Sequence, residues 1–153
     1  MNGALWARWL AAALLTALPA GAEPFLEIWI EGSKLRTLSL PEQQEICLSW
    51  AHSVTGGKVA DCFENRAGQL LLTRSYLHDF AAGLGEVEGR GRLTSAPEGG
   101  YWIESMDEPL QDNRLRLRIG TPQVGHRLQG RDIDIPLSEL APGARAILTL
   151  SAE

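Results

Sequence analysis

The sequence predicts an all-β domain, an antiparallel sandwich or a partly open barrel of about nine short strands that follows an N-terminal signal helix. Three observations predict it. Apolar and polar residues alternate in short runs, turn residues recur roughly every 8–12 positions, and no helical period is sustained after residue 22. Alternation of this kind gives each strand one buried face, and frequent turns are typical of sandwiches and barrels.

Residues 1–22 predict an export signal in front of a single domain over residues 23–153. Arg8 supplies positive charge, an apolar run extends from Trp9 to Ala22, and Ala20-Gly21-Ala22 offers small residues for cleavage. The run is shorter than the roughly 17–25 residues that span a bilayer. We therefore expect a periplasmic or otherwise extracytoplasmic protein. The alternative is an uncleaved signal that tethers the chain to the inner membrane, and this signal is the only membrane contact expected.

The charge balance argues against nucleic acid as a partner. The chain has 14 Lys+Arg against 19 Asp+Glu, a formal net charge of −5. Nucleic-acid binding needs a basic footprint, which this composition does not provide.

A hairpin within Glu45 to Gly85 is the centre of the predicted fold. Gly56-Gly57 suits a two-residue turn, because glycine tolerates the positive φ angles that such turns need. Side chains alternate along strands, so this turn would place three facing pairs on one side of the sheet. The pairs are Val54 with Val59, His52 with Asp61, and Trp50 with Phe63.

Cys47 and Cys62 lie on the two strands of this hairpin, and export to an oxidising compartment permits a bridge between them. In the register set by the two glycines, Cys62 faces Ala51. Cys47 then lies about 13 Å further along, beyond the reach of a disulfide. Direct pairing would centre the turn on Val54-Thr55, a poor tight turn. The compartment favours a bridge and the register opposes it, so the pairing stays open at this point.

His52 and Asp61 are the candidates for catalysis, because a histidine oriented by a carboxylate can act as a general base. Ser53 cannot serve His52 as a nucleophile, since adjacent strand residues point to opposite faces. The chain also lacks a Gly-x-Ser-x-Gly elbow. A polar pair that satisfies its own hydrogen bonds explains the same residues, so the sequence favours a protein without catalytic activity.

A metal site would need His52 and Asp61 to be joined by His78 or His126. The chain shows no metal-ligand spacing, so we expect neither a metal nor a cofactor.

One strand carries arginine at alternate positions. A solvated strand face explains this stripe, and binding of an anionic solute or partner is the alternative. The residues are Arg114, Arg116 and Arg118.

Several motifs occur in a fixed order along the mature chain: SWAHSV, then an acid, then DFAAGLG, GGYWI, LRLRIG and HRL. Together they resemble the bacterial and archaeal domain-of-unknown-function family 1850. Asp61 stands where that family usually has Glu, Ala81 replaces the first Gly of its glycine-rich loop, and Gly85 replaces the closing Pro.

The resemblance implies a small exported or membrane-tethered protein. Members of the family are often found beside tripartite ATP-independent periplasmic (TRAP-type) transporters of the TAXI solute-receptor class. The resemblance therefore implies an accessory role, with the permease or the solute receptor of such a transporter as the partner.

The predicted function is that of a non-catalytic binding or accessory module associated with such a transporter. The alternative is a small periplasmic hydrolase that uses the His52–Asp61 pair. We expect binding at the small-residue loop, because loops held by a rigid sheet commonly carry recognition and small residues permit close approach. The predicted binding residues are Ala81, Ala82, Gly83, Leu84 and Gly85, with His52 and Asp61 beneath them.

Overall fold

The alternating runs of the sequence form twelve strands in the computed structural model, which describes residues 23–79 and 89–152. The all-β prediction is confirmed. The strands are more numerous than expected because the second half of the domain divides into pieces of two to five residues before the final strand. Their bounds are β1 (Pro24–Ile30), β2 (Ser33–Ser39), β3 (Glu45–Ala51), β4 (Lys58–Arg66), β5 (Gln69–Leu77), β6 (Arg92–Ser95), β7 (Tyr101–Glu104), β8 (Glu108–Pro109), β9 (Arg114–Arg118), β10 (Arg127–Gly130), β11 (Ile133–Ile135) and β12 (Arg145–Ala152).

The strands form two sheets whose paired strands all run antiparallel. Sheet A has the order β2-β1-β12-β9, and sheet B has the order β11-β10-β3-β4-β5-β7-β6, with β8 paired to β5. A 3-10 helix over Gln111–Asn113 leads into β9, and a short helix, α1 (Leu137–Leu140), connects β11 to β12. Strand β1 pairs with β12, so the first and last strands of the domain lie side by side.

The core fills the space between the two sheets. Leu26 and Ile28 of β1 and Leu148 of β12 are at most 2% exposed and belong to the same apolar cluster as Ile46 and Phe63 of sheet B. These residues occupy alternate positions of their strands, so the opposite positions face outward. The outward faces of the two sheets, like the loops, are therefore surfaces on which binding residues can lie.

The predicted register of the central hairpin is wrong by four positions. Cys47 pairs with Cys62 across β3 and β4, so Leu48 faces Asp61 and Trp50 faces Val59. The two sulfurs form a disulfide with a Cα–Cα distance of 4.0 Å. The bridge fixes the register, and a loop longer than two residues then joins the strands. The question that the sequence left open is thus resolved in favour of the bridge.

The export signal predicted over residues 1–22 concerns residues outside the described part of the chain, so it stays a prediction. Across residues 23–79 and 89–152, no helix has the length and apolar character needed to cross a membrane.

Candidate functional site

The β3–β4 loop, residues 52–57, contains the first of the predicted site residues. Two backbone hydrogen bonds of 2.8 Å close it: the His52 N–H donates to the Gly57 carbonyl, and the Gly56 N–H donates to the His52 carbonyl. Gly56 has a φ of 71°, in the left-handed region that favours glycine. The glycine pair therefore does mark the turn, but at one end of a longer loop.

The side chain of His52 organises this loop. Its Nδ1 atom accepts hydrogen bonds from the backbone N–H groups of Val54 and Thr55, each at 3.3 Å. The Thr55 hydroxyl in turn accepts the N–H of Gly57 at 3.2 Å. His52 thus binds the backbone of its own loop, as Asx and Ser/Thr side chains commonly do in turns. This nitrogen cannot take a proton from a substrate while the loop keeps this conformation.

Val54 is displayed at the tip of the β3–β4 loop. Its side chain is 86% exposed, and it is flanked by the exposed residues Ser53 and Thr55. The predicted pairing of Val54 with Val59 on an apolar strand face is wrong, because Val59 is opposite Trp50. The signal that was missed is an apolar residue inside a short polar segment that ends in two glycines.

The β3–β4 loop packs against the residues that follow β5. A Cβ atom added at Gly57 would lie 3.1 Å from the His78 Cβ and 3.2 Å from an Asp79 carboxylate oxygen. Asp79 is the last described residue before the small-residue loop of the predicted site. Ala81, Ala82, Gly83, Leu84 and Gly85 lie outside the described residues, so this part of the site stays a prediction.

Asp61 lies on β4 and does not face His52. It is opposite Leu48 on β3 and Ser75 on β5, and the Ser75 hydroxyl donates a 2.6 Å hydrogen bond to its carboxylate. The predicted His52–Asp61 pair is wrong because the disulfide register leaves His52 beyond the end of β3. Ser75 is only 4% exposed, so it is not placed to attack a substrate.

Burial raises the pKa of Asp61 above its ordinary value, because desolvation disfavours the charged carboxylate. The Ser75 hydrogen bond and the charge of Arg90 act in the opposite direction, and Glu108 adds to the rise. Arg90 is itself held by Glu108 through contacts of 2.6 and 3.1 Å. Asp61 therefore belongs to a polar cluster within the sheet that makes internal contacts.

The histidines do not assemble a metal site among the described residues. His126 accepts the Gly120 N–H on Nδ1 at 2.8 Å, and burial lowers its pKa. In residues 23–79 and 89–152, the one grouping of three side chains able to hold a metal is Glu45 with Cys47 and Cys62. Both of those sulfurs are in the disulfide, so they cannot act as thiolate ligands.

A ladder of charged and aromatic side chains, Glu45, Arg74 and Trp102, lies on the outward face of sheet B and was not predicted. Arg74 binds the Glu45 carboxylate at 2.5 and 2.8 Å, and its guanidinium lies 4.1 Å from the centre of the Trp102 ring. Its residues come from β3, β5 and β7, so the ladder becomes visible only when the strand order is known. The predicted outward stripe of Arg114, Arg116 and Arg118 is confirmed, since all three are exposed on β9.

Comparison with known proteins gives one family. The model of a family described as a domain of unknown function, DUF1850, matches residues 46–137, which is more than half of the chain. No curated protein and no solved structure is significantly similar to this chain. The match includes the β3–β4 loop, β4 and the arginine stripe.

Proposed function

Because the chain belongs to domain-of-unknown-function family 1850, whose name assigns no activity, we propose its function from the geometry of the β3–β4 loop. The protein is an exported, non-catalytic binding module that docks on the permease or the solute receptor of a TRAP-type transporter of the TAXI class. The partner class comes from the family resemblance, and the docking element comes from the loop.

The observation that carries the proposal is the display of Val54. Val54 is an apolar residue that is 86% exposed, so its burial against a partner would make the free energy of binding more favourable. Its loop is held by His52 and Thr55, so little conformational freedom remains to be lost on binding. A preorganised apolar tip of this kind suits insertion into a pocket on another protein.

The hydrolase alternative finds less support. His52 and Asp61 bind different partners, since His52 caps its own loop and Asp61 accepts from the buried Ser75. The raised pKa of Asp61 also weakens it as an anion that could orient a histidine. A base, an orienting carboxylate and an accessible nucleophile do not meet among the described residues.

The test is a quantitative pull-down with the purified permease and purified solute receptor of a TRAP-type transporter of the TAXI class. Val54→Ser should reduce capture by at least about tenfold, since a buried anchor residue commonly contributes more than 1.4 kcal/mol. Leu140→Ser is the matched control, because Leu140 is also an exposed apolar residue, at 55%, but lies on α1. Equal capture of wild type and Val54→Ser would contradict the proposal.

A hydrolysis assay on the same proteins addresses the alternative. We expect no turnover of ester, amide or phosphoester substrates that depends on His52. Turnover lost in His52→Ala, with the melting temperature unchanged, would replace the docking function with the hydrolase.

A further inference from the structure

The outward face of sheet A carries a groove, on the side of the sandwich opposite sheet B. Along β12, alternate residues Arg145, Ile147 and Thr149 point outward and form the floor of a groove. Trp29 of β1 lies on one side of this floor and Arg114 of β9 lies on the other. We call this surface the sheet A groove.

We propose that the sheet A groove binds an extended, acidic segment of a partner protein. This goes beyond the docking function of the β3–β4 loop, which belongs to the other sheet.

The face is basic although the chain is acidic overall. Three of its acidic side chains are already paired: Glu27 contacts Lys34, Glu31 contacts Arg145 at 3.4 Å, and Asp112 lies 4.0 Å from Arg116. A fourth acid, Glu23, lies beside Glu27 and Lys34. The basic side chains outnumber these acids, in a protein whose net charge is −5. They are Lys34, Arg114, Arg116, Arg118 and Arg145.

Arg114 is the residue best placed to receive a carboxylate. Its side chain is exposed and makes no hydrogen bond or ion pair within residues 23–79 and 89–152, whereas Arg118 donates to the Gly143 carbonyl at 2.8 Å. Arg114 is opposite Thr149 on β12, whose hydroxyl lines the same groove. A guanidinium without a partner can bind a carboxylate through two parallel hydrogen bonds.

The middle of the groove, beside Arg114, is apolar. Ile147 is 37% exposed and lies directly opposite Trp29 on the neighbouring strand. The Trp29 indole N–H donates to Glu27 at 3.1 Å, and the Lys34 ammonium lies 5.2 Å from the ring centre. These contacts fix the indole, so Ile147 and Trp29 present a firm apolar surface.

The shape favours a peptide over a small molecule or a membrane. The groove has a volume of 670 Å³ and follows β12 from Arg145 to Thr149, about 13 Å at the usual strand rise. It is a half-open depression, whereas small molecules are usually enclosed on most sides. Its apolar residues form the floor of a depression, so they do not project as membrane insertion requires. An extended chain of about four residues fits this length.

In an extended segment, alternate side chains point the same way, so a Leu and a Glu two positions apart can face the groove together. The Leu would cover Ile147 and Trp29, and the Glu would bind Arg114. A suitable probe is the N-acetylated and C-amidated peptide Ser-Leu-Ser-Glu-Ser-Leu-Ser-Glu with an uncharged fluorophore. The same peptide with Gln in place of Glu is its neutral control.

Fluorescence anisotropy on the full chain tests the proposal. The Glu peptide should bind saturably and at least about tenfold more tightly than the Gln peptide, and added salt should weaken it. Arg114→Gln and Ile147→Ser should each weaken binding by about fivefold. Arg131→Gln is the matched control, because Arg131 is also exposed and has no side-chain partner among the described residues.

Three results would overturn the proposal. One is the absence of saturable binding below about 1 mM, a concentration that corresponds to only about 4 kcal/mol of affinity. Another is a loss in Arg131→Gln equal to that in Arg114→Gln. The third is Arg114-dependent sedimentation with vesicles of phosphatidylglycerol and phosphatidylcholine at 3:7 without peptide binding, which would assign the face to a membrane.

Discussion

At the scale of single residues, His52 stabilises a loop and does not neutralise a buried acid. The backbone N–H groups that donate to His52 belong to the exposed residues Val54 and Thr55. Water can therefore bind these groups when the imidazole is removed. We expect His52→Ala to lower the free energy of unfolding by at most about 1 kcal/mol. Breaking a buried charged pair would have cost about 3–5 kcal/mol.

The matched variant is His52→Asn, whose side-chain oxygen can accept the same N–H groups. Thermal melting of both variants measures the effect, and His52→Asn should melt close to wild type. A loss of several kcal/mol in both variants would contradict the capping role.

Asp61 should reduce stability at neutral pH. Because burial raises its pKa, the folded state binds this proton more tightly than the unfolded state does. Stability therefore falls as the pH rises from the ordinary carboxylate pKa, about 3.9, through the raised value. Asp61→Asn should unfold at higher urea than wild type at pH 7, and the difference should shrink as the pH falls toward 4. A variant less stable than wild type at pH 7 would argue that the charged carboxylate is needed.

His126 should change the free energy of unfolding with pH in the direction opposite to Asp61. Burial lowers its pKa, so its contribution is fully present above the ordinary histidine value, near 6.5, and is lost as the pH falls through the lowered value. Protonation of Nδ1 would also break the 2.8 Å hydrogen bond from the Gly120 N–H. Urea unfolding at pH 7.5, 6 and 5 should show a weaker pH dependence in His126→Asn, whose oxygen can still accept. Parallel curves for the two proteins would refute this.

At the scale of elements, the disulfide sets the β3–β4 hairpin. Cys47 and Cys62 are separated by 15 positions, and closing a loop of this length stabilises the fold by about 3 kcal/mol. The paired variant Cys47→Ser, Cys62→Ala should therefore lose about that amount in urea unfolding. Reductant should lower the free energy of unfolding of the wild type and leave that of the variant unchanged. Alkylation of both cysteines in the unreduced native protein would show that the bridge is absent.

The hairpin also shows where prediction from sequence reached its limit. Gly56 does adopt the positive φ expected of it, but the sequence alone does not show that His52 caps a longer loop. The two cysteines were the better guide to register, because a disulfide can join only residues whose Cα atoms lie close together. By contrast, strand β9 was predictable, since its alternation of Arg and Leu requires no knowledge of neighbours.

At the scale of the whole molecule, the short alternating runs of the sequence predict the all-β class. They do not predict how the strands divide between two sheets. Trp29 and Arg114 come from distant parts of the chain and line one groove only because β12 pairs with both β1 and β9. The sheet A groove could thus not be predicted from the sequence, although the arginine stripe could. Val54 was hidden for a related reason, because its exposure depends on the hairpin register.

The two surfaces belong to different sheets, so they can be disrupted independently. Val54→Ser should leave peptide binding in the sheet A groove unchanged, and Arg114→Gln should leave capture of transporter components unchanged. Mutations at separate sites without shared partners usually act additively. Titration of the acidic peptide against both variants, beside the pull-down, checks this independence. Loss of both activities in either variant would indicate a general loss of folding.

The most direct test of the proposed docking function is site-specific photo-crosslinking in cells that express the protein together with a TRAP-type permease and solute receptor of the TAXI class. A photoreactive phenylalanine replaces Val54 in one protein and Leu140, on α1, in the control. We expect a covalent adduct from position 54 in which mass spectrometry identifies the permease or the solute receptor. We expect no such adduct from position 140. No adduct from position 54, or the same adduct from both positions, would contradict the proposed docking function.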